Sequence, residues 1–344
     1  MHQGVIAVRD ERIDFLRFLG LAMIILAHME PSGFIFQMRN FDVPLMVIVS
    51  GLSFRASFKE EPYLSYLWSR VKRLVFPVWI FLSVYFLFIY FTGYPIVMPG
   101  LKTMLSSYLL LNGIGYVWII RVFLLVAIVS PFIYSYSRRQ PSNYRYFAAA
   151  AIIYLLYELL LVACMPLSKS PVSMMFENTI LYLIPFAVIF SIGLRLPDLT
   201  RNQLIAMSAV FLFIFLSWMC IHWMASGKLI TTQPYKYPPQ SYYLSYALFI
   251  SILAWMASGR ITQLLGQVNL LPAILFVGRN SIWIYLWHIP FIQIIKLPVS
   301  LRYIAVFSIA VAITFLQTKL VYGYILPIIK NASLKKNIRL ALTG

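Results

Sequence analysis

Long apolar runs separated by short polar stretches follow one another along the whole chain, as in FLGLAMIILAHM and LVFPVWIFLSVYFLFIYF. Membrane-barrel strands would instead show short alternating patterns. Each run is about as long as a helix needs to cross ~30 Å of hydrocarbon at 1.5 Å per residue. Lipid offers no partner to an unpaired backbone group, so helices are the expected form. About ten spans are predicted, near 15–38, 43–58, 74–93, 117–137, 146–165, 178–194, 203–225, 241–258, 273–296 and 302–328, the second and sixth of them short. The apolar but interrupted segment from Lys102 to Gly115 reads as a re-entrant or interfacial helix. No internal repeat and no Gly/Ser linker divides the chain. The expectation is therefore an all-α, polytopic membrane bundle forming a single domain over 1–344, with tails at about 1–13 and about 329–344 and no appended soluble catalytic module.

Composition agrees with that pattern. Of 344 residues, 61% are hydrophobic and 11% charged, against roughly 25% charged in soluble domains. A soluble fold has too little interior for so much apolar surface, so the lipid bilayer is the expected partner. The net charge of +18 reads as loop cations of the cytoplasmic face, not as a nucleic-acid footprint. With the N-terminus inside, the inner segments carry 18 Lys and Arg and the outer ones 7. This bias predicts an even number of spans with both termini cytoplasmic. Cys164 and Cys220 fall inside apolar runs and read as small core residues, with no metal site. The first run lacks a small-residue cleavage signal, so no removable leader is expected.

An ionisable residue within a span is expensive, and each one is a candidate for function. Asp14, Arg17 and His28 lie on RIDFLRFLGLAMIILAHME. Arg17 and His28 are eleven residues apart, about three turns plus ~20° of helix, so they share a face about 16 Å apart along the axis. Asp14 is one turn before Arg17 and can pair with it. His28 is either a buried, hydrogen-bonded histidine or a base able to take and return a proton. Ser50–Gly51 reads as a close-packing point or as backbone lining a cavity. Arg70, Lys72 and Arg73 read as anchors at the membrane border or as clamps for a phosphate-rich ligand. Arg121, a helical neighbour of Trp118, needs a partner, with Asp42, Glu158 or a bound anion as candidates. A second polar patch combines Arg279, Asn280, Ser281, Tyr285 and His288, while Tyr285 and Trp287 also suit an interfacial aromatic belt. His222 reads as a packing or interfacial residue. The outer loop TTQPYKYPPQSYYL, with Lys236, is either a sugar-stacking loop or a plain interfacial one.

In this order the segments resemble acyltransferase family 3, membrane proteins that O-acylate sugars of bacterial glycans. The residues carrying the resemblance are Arg17 and His28 with ten residues between them, FDVPLMVIVSGLSF, Arg70-Val-Lys-Arg73-Leu with Pro77, Trp118-Ile-Ile-Arg121, and NSIWIYLWHIPF. The usual aromatic after Trp118 is replaced by Ile119, and there is no fused esterase-like domain, as in a stand-alone member. The resemblance implies acetyl-CoA or another acyl-CoA as donor substrate, no permanently bound cofactor, and a saccharide hydroxyl as acceptor. It also implies a bacterial inner membrane location. His28 is then the catalytic base and Arg17 engages the donor. Arg70 and Arg73 join Arg17 at a cytoplasmic anion-binding mouth, and Arg121 lines the same cavity. Asp14, Ser50, Trp118, Lys236, Tyr285 and His288 are further candidates, with Asp42, Glu158 and Tyr285 as possible orienters of His28. The other readings of the same residues are a transporter or flippase for a glycolipid or anionic metabolite, and a scaffolding membrane protein. Against the transporter, no pair of broken helices occurs in two related halves.

Overall fold

A computed structural model describes residues 9–93, 97–111, 113–164 and 171–344, with side chains from 164 and 171–174 left out. The N-terminal tail up to residue 8, Lys169 and the side chain of Cys164 lie outside the described residues. All regular structure among the described residues is helical.

The order is α1 Glu11–Ala27, α2 Gly33–Met38, α3 Asp42–Ser57, α4 Tyr63–Thr92, α5 Leu101–Tyr108, α6 Trp118–Arg139, α7 Asn143–Cys164 and α8 Pro171–Arg195. It continues with α9 Arg201–Ser226, α10 Ser241–Gln267, α11 Leu271–Arg279, α12 Ser281–Ile294, α13 Val299–Leu320, α14 Leu326–Ile328 and α15 Ala332–Thr343. A π-helical stretch, Val321–Ile325, joins α13 to α14.

Among the described residues, seven helices are long and apolar enough to cross a membrane: α4, α6, α7, α8, α9, α10 and the run Val299–Ile328. Length and composition thus do not confirm the expected count of about ten, because three of the expected spans are short or interrupted. The expected span 15–38 is broken after Ala27, where His28 caps α1 and Pro31 precedes the separate α2. Proline cannot continue a helix and biases its predecessor away from the helical region. The expected span 43–58 forms α3, whose 16 residues rise only about 24 Å. The expected span 273–296 is interrupted at Asn280 into α11 and α12. These three carry Asp14, Arg17, Ser50, Arg279, Tyr285 and His288, and most of their side chains are buried against other helices. The expected re-entrant segment is the short α5 followed by turns.

Two close approaches hold the centre. A Cβ on Gly51 of α3 would run into the Phe190 carbonyl of α8, and one on Gly193 of α8 would run into the Ile48 carbonyl of α3. Small residues let helix backbones meet in this way. A Cβ on Gly278 would likewise meet the Asp14 carbonyl, which fixes α11 beside the start of α1. Ser50, adjacent to Gly51, instead faces a cavity. Gly51 thus agrees with the close-packing reading, while α3 passes through the pair unbroken, so the backbone there stays helical.

Candidate active site

Two cavities lie end to end within the bundle. The inner one is lined by Arg17, Arg70, Arg73 and Arg279, with Ser50 and Ser53 on α3. Its wall of Val49, Ser50, Ser53 and Ser57 follows helical spacing on one face of α3. Of the four guanidinium groups, Arg17 and Arg279 pair with one carboxylate, Asp14, which is 1% exposed. Arg17 Nη1 donates to Asp14 Oδ1 at 2.8 Å and Nη2 to Ser53 Oγ at 2.7 Å. Arg9 binds both Asp14 oxygens at 2.7 Å, and Arg279 Nε reaches Oδ2 at 3.1 Å. Arg70 lies against the Tyr66 ring, its guanidinium carbon 4.8 Å from the centroid, and its buried Nε has no hydrogen-bond partner. Among the described residues Arg73 makes no ion pair. The inner cavity therefore holds a surplus of positive charge with N–H groups to spare, the arrangement that binds phosphate.

The outer cavity is lined by His28, Trp118, Lys236 and Tyr237, together with Arg39 and Asp42. Ile24, Ile119 and Tyr285 line both cavities, so they form the wall between them. On the outer side, Asp42 receives Arg39 Nη1 at 2.8 Å and Lys236 Nζ at 2.9 Å, with all three side chains buried. Burial holds the Lys236 ammonium below its ordinary pKa, an effect countered by the Asp42 carboxylate. Asn40 joins Thr232 at 2.8 Å, and Thr232 also binds Gln37, so the loop before α10 is tied to the segment between α1 and α3. The loop that looked interfacial thus turns inward at Lys236.

His28 sits at the C-terminal cap of α1. Its Nδ1 lies 2.8 Å from Nε2 of His288, and the two ring planes are within 11°. His288 is fully buried, and its own Nδ1 meets the Tyr285 carbonyl. Of the three orienters named from the sequence, none bonds the His28 ring. Asp42 is engaged with Arg39 and Lys236. Glu158 accepts from Tyr154 and from the backbone N–H of Ser241, at the start of α10. Tyr285 donates its hydroxyl to the Tyr116 carbonyl. Burial of Tyr285 does not suit an aromatic belt, whereas Trp287 is half-buried. Trp287 donates to Gln317 at 2.7 Å.

Arg121 does not line the inner cavity with the other arginines. Its Nη2 donates to Asn178 at 2.9 Å and its guanidinium faces the Tyr182 ring. On α6 the cavity face belongs to Ile119, Ile120, Phe123 and Ala127, and Arg121 points from another side toward α8. Its partner is thus Asn178, neither Asp42 nor Glu158. His222 packs among Trp218, Tyr235 and Tyr242. Sequence reasoning left Ser53 and Arg39 out of the site. The Ser50, Ser53, Ser57 spacing was a readable signal for the first, and nothing local marks the second.

Fold and site together define a helical membrane protein with a cationic cavity, a histidine pair of which one ring is fully buried, and a second, aromatic cavity beside the first. A family model described as an acyltransferase domain matches residues 10–321, and the chain belongs to that family, acyltransferase family 3. No curated protein and no solved structure matches the chain.

Proposed function

We propose that this membrane acyltransferase is an O-acetyltransferase that moves an acetyl group from acetyl-CoA to a hydroxyl of a cell-surface or lipid-linked saccharide. The observation that carries the reading is that His28 lines an aromatic outer cavity that shares a wall, Ile24, Ile119 and Tyr285, with the cationic inner one. The inner cavity suits the phosphates of a coenzyme A thioester, held by Arg17, Arg70 and Arg73, with Arg279 beside them. The outer cavity offers Trp118 and Tyr237, whose ring centroids are 5.1 Å apart and whose planes are perpendicular, as an aromatic corner for a sugar.

The chemistry follows from proton transfer. A hydroxyl is a weak nucleophile, and a base within about 3 Å of its oxygen makes attack on a thioester feasible. The acceptor oxygen bonds to the acyl carbon as its proton passes to His28, and the C–S bond then breaks. The leaving sulfur takes that proton, which returns His28 to its starting form. The donor reaches this point past Ile24, Ile119 and Tyr285, so these side chains separate or shift when the acyl group enters.

Topology belongs to the same reading. Arg9 at the N-terminal end and α15 at the C-terminal end meet α11 and α12 on one side of the molecule, through Asp14–Arg279 and through Trp283 Nε1 to the Ala341 carbonyl. Ends that share a side require an even number of traversals. On this reading the short central elements, α1, α3 and the α11–α12 pair, count as three traversals beside the seven long helices, ten in all, with both termini cytoplasmic in a bacterial inner membrane. Transfer of label from [14C]acetyl-CoA to a glycolipid and glycan extract of the host, by the purified chain, tests the function. Labelled product supports it; donor binding with no acetylated product, together with movement of an anion across vesicles, would favour a transporter.

A further inference from the structure

We propose that His288 is a positioning residue that fixes which nitrogen of His28 is the base. The inference rests on the reading of His28 as the base and adds what sets its tautomer. The Tyr285 carbonyl can only accept, so the His288 Nδ1 facing it carries the proton. A neutral His288 then presents a bare Nε2. Only one proton fits between that nitrogen and His28 Nδ1, 2.8 Å away, so His28 Nδ1 is the donor. Neutral His28 is left with an unprotonated Nε2. The order of bonds, carbonyl to His288 to His28, thus ends in a lone pair at the one ring nitrogen that the pairing leaves free, on a residue that lines the outer cavity.

The near-coplanar rings align the His28 N–H with the His288 lone pair. Tyrosine rings pack against both imidazoles. Tyr116 meets His28 edge-on with centroids 5.0 Å apart, and Tyr285 lies 4.9 Å from His288. When the acceptor hydroxyl gives its proton to His28 Nε2, the resulting imidazolium keeps its Nδ1–H on a neutral acceptor. The proton leaves again from Nε2 to the thiolate sulfur as the C–S bond breaks. His288 therefore exchanges no proton with either substrate. The same logic orients catalytic histidines through an acceptor on the far nitrogen, commonly a carboxylate or carbonyl. Here a neutral imidazole fills that place in a buried site, where a carboxylate would bring a further charge out of water.

The test uses the full chain in lipid nanodiscs, [14C]acetyl-CoA, and the host glycolipid and glycan extract as acceptor pool. His288→Leu removes the acceptor at similar bulk and is expected to lower kcat about 10²-fold with the KM for acetyl-CoA within about twofold of wild type. His288→Gln places an amide oxygen near the lost Nε2 and is expected to recover kcat to within about tenfold of wild type. Wild-type kcat in His288→Leu, or a Gln variant as impaired as the Leu one, overturns the proposal. Because His288→Leu could also fail to fold, a direct readout is added. Nitrogen-15 spectra of the histidine-labelled wild-type protein, with His28 assigned by its loss in His28→Ala, should show a protonated Nδ1 on His28; a protonated Nε2 overturns the proposal independently. The two readings separate cleanly. An active His28→Ala protein removes the base assignment and this inference with it. An inactive His28→Ala beside a fully active His288→Leu removes this inference alone.

Discussion

The inner and outer cavities both gather cations around a single aspartate, yet they use them differently. Asp14 on the inner side is shared by Arg9, Arg17 and Arg279, while Arg70 and Arg73 stand beside it without a carboxylate. Asp42 on the outer side is closed off by Arg39 and Lys236, both nearly fully buried. The inner arginines open toward a mouth where Arg73 is exposed, and a charge facing solvent can be exchanged for one on a ligand. The outer cations are fixed in a network with Asn40, Thr232 and Gln37 that pins the loop before α10. On the proposed reading, one cluster binds an anion that comes and goes and the other holds a wall in place.

The most severe way to break the comparison is at the junction. His28→Ala is expected to reduce acetyl transfer by roughly 10²–10⁴-fold while leaving coenzyme A binding at the inner cavity intact, measured by label transfer and by equilibrium binding on the same preparation. Full transfer would show that neither cavity depends on this residue. Next comes the outer frame. Asp42→Asn leaves Arg39 and Lys236 buried without a counter-charge, which typically costs about 3–5 kcal/mol. A thermal unfolding midpoint well below wild type is expected, and an unchanged midpoint would mean the outer cluster is no frame.

The inner cluster should respond in affinity instead. Charge-assisted hydrogen bonds are worth about 1.5–3 kcal/mol, so Arg73→Ala or Arg70→Ala should weaken coenzyme A binding by about tenfold or more with little change in melting. Added salt should weaken it further, since the mouth is solvated. Arg121→Gln serves as the control, since Arg121 faces Asn178 and Tyr182 and its loss should leave coenzyme A affinity unchanged. Equal losses for Arg73→Ala and Arg121→Gln would contradict the division made here.

Much of this was legible along the chain, and the failures have physical causes. The eleven-residue spacing put Arg17 and His28 on one helix face because helical periodicity is local, and the structure has Arg17 at the inner cavity and His28, the cap of α1, at the outer one. Pro31 was visible too, but continuous hydropathy on both sides of it concealed the end of α1. Hydropathy also cannot distinguish a helix that faces lipid from one enclosed by other helices, so α3 and the α11–α12 pair looked like ordinary spans. Arg121 carried the right chemistry on the wrong side of α6, and only packing decides that. The His28–His288 pair joins residues 260 apart in sequence. Tyr285 and His288 sharing a helix turn was readable, but the ring that meets them was not.

The smallest expected effect concerns how α1, which serves both cavities, is anchored. Asp10 caps that helix, its Oδ1 accepting from the backbone N–H of Arg12 at 3.0 Å, and it pairs with the Arg12 side chain at 2.7 Å. Partial burial pushes the Asp10 pKa up, but the hydrogen bonds and charge of Arg12 outweigh it, and the carboxyl is held below its usual value of 3.8. A carboxylate whose folded-state pKa is depressed contributes stability above its unfolded pKa and loses it as pH falls through the folded one. Asp10→Ala should therefore cost about 1 kcal/mol at neutral pH, the usual worth of a helix cap. The gap between variant and wild type should persist down to about pH 4 and narrow below it, as the wild-type carboxyl takes up its proton. Melting curves of both proteins across pH 3 to 7 read this directly. A gap that stays constant to the acid end would assign the effect to the shape of the turn and not to the ionised cap. No gap at all would mean that the start of α1 is held by Asp14 and its three arginines alone.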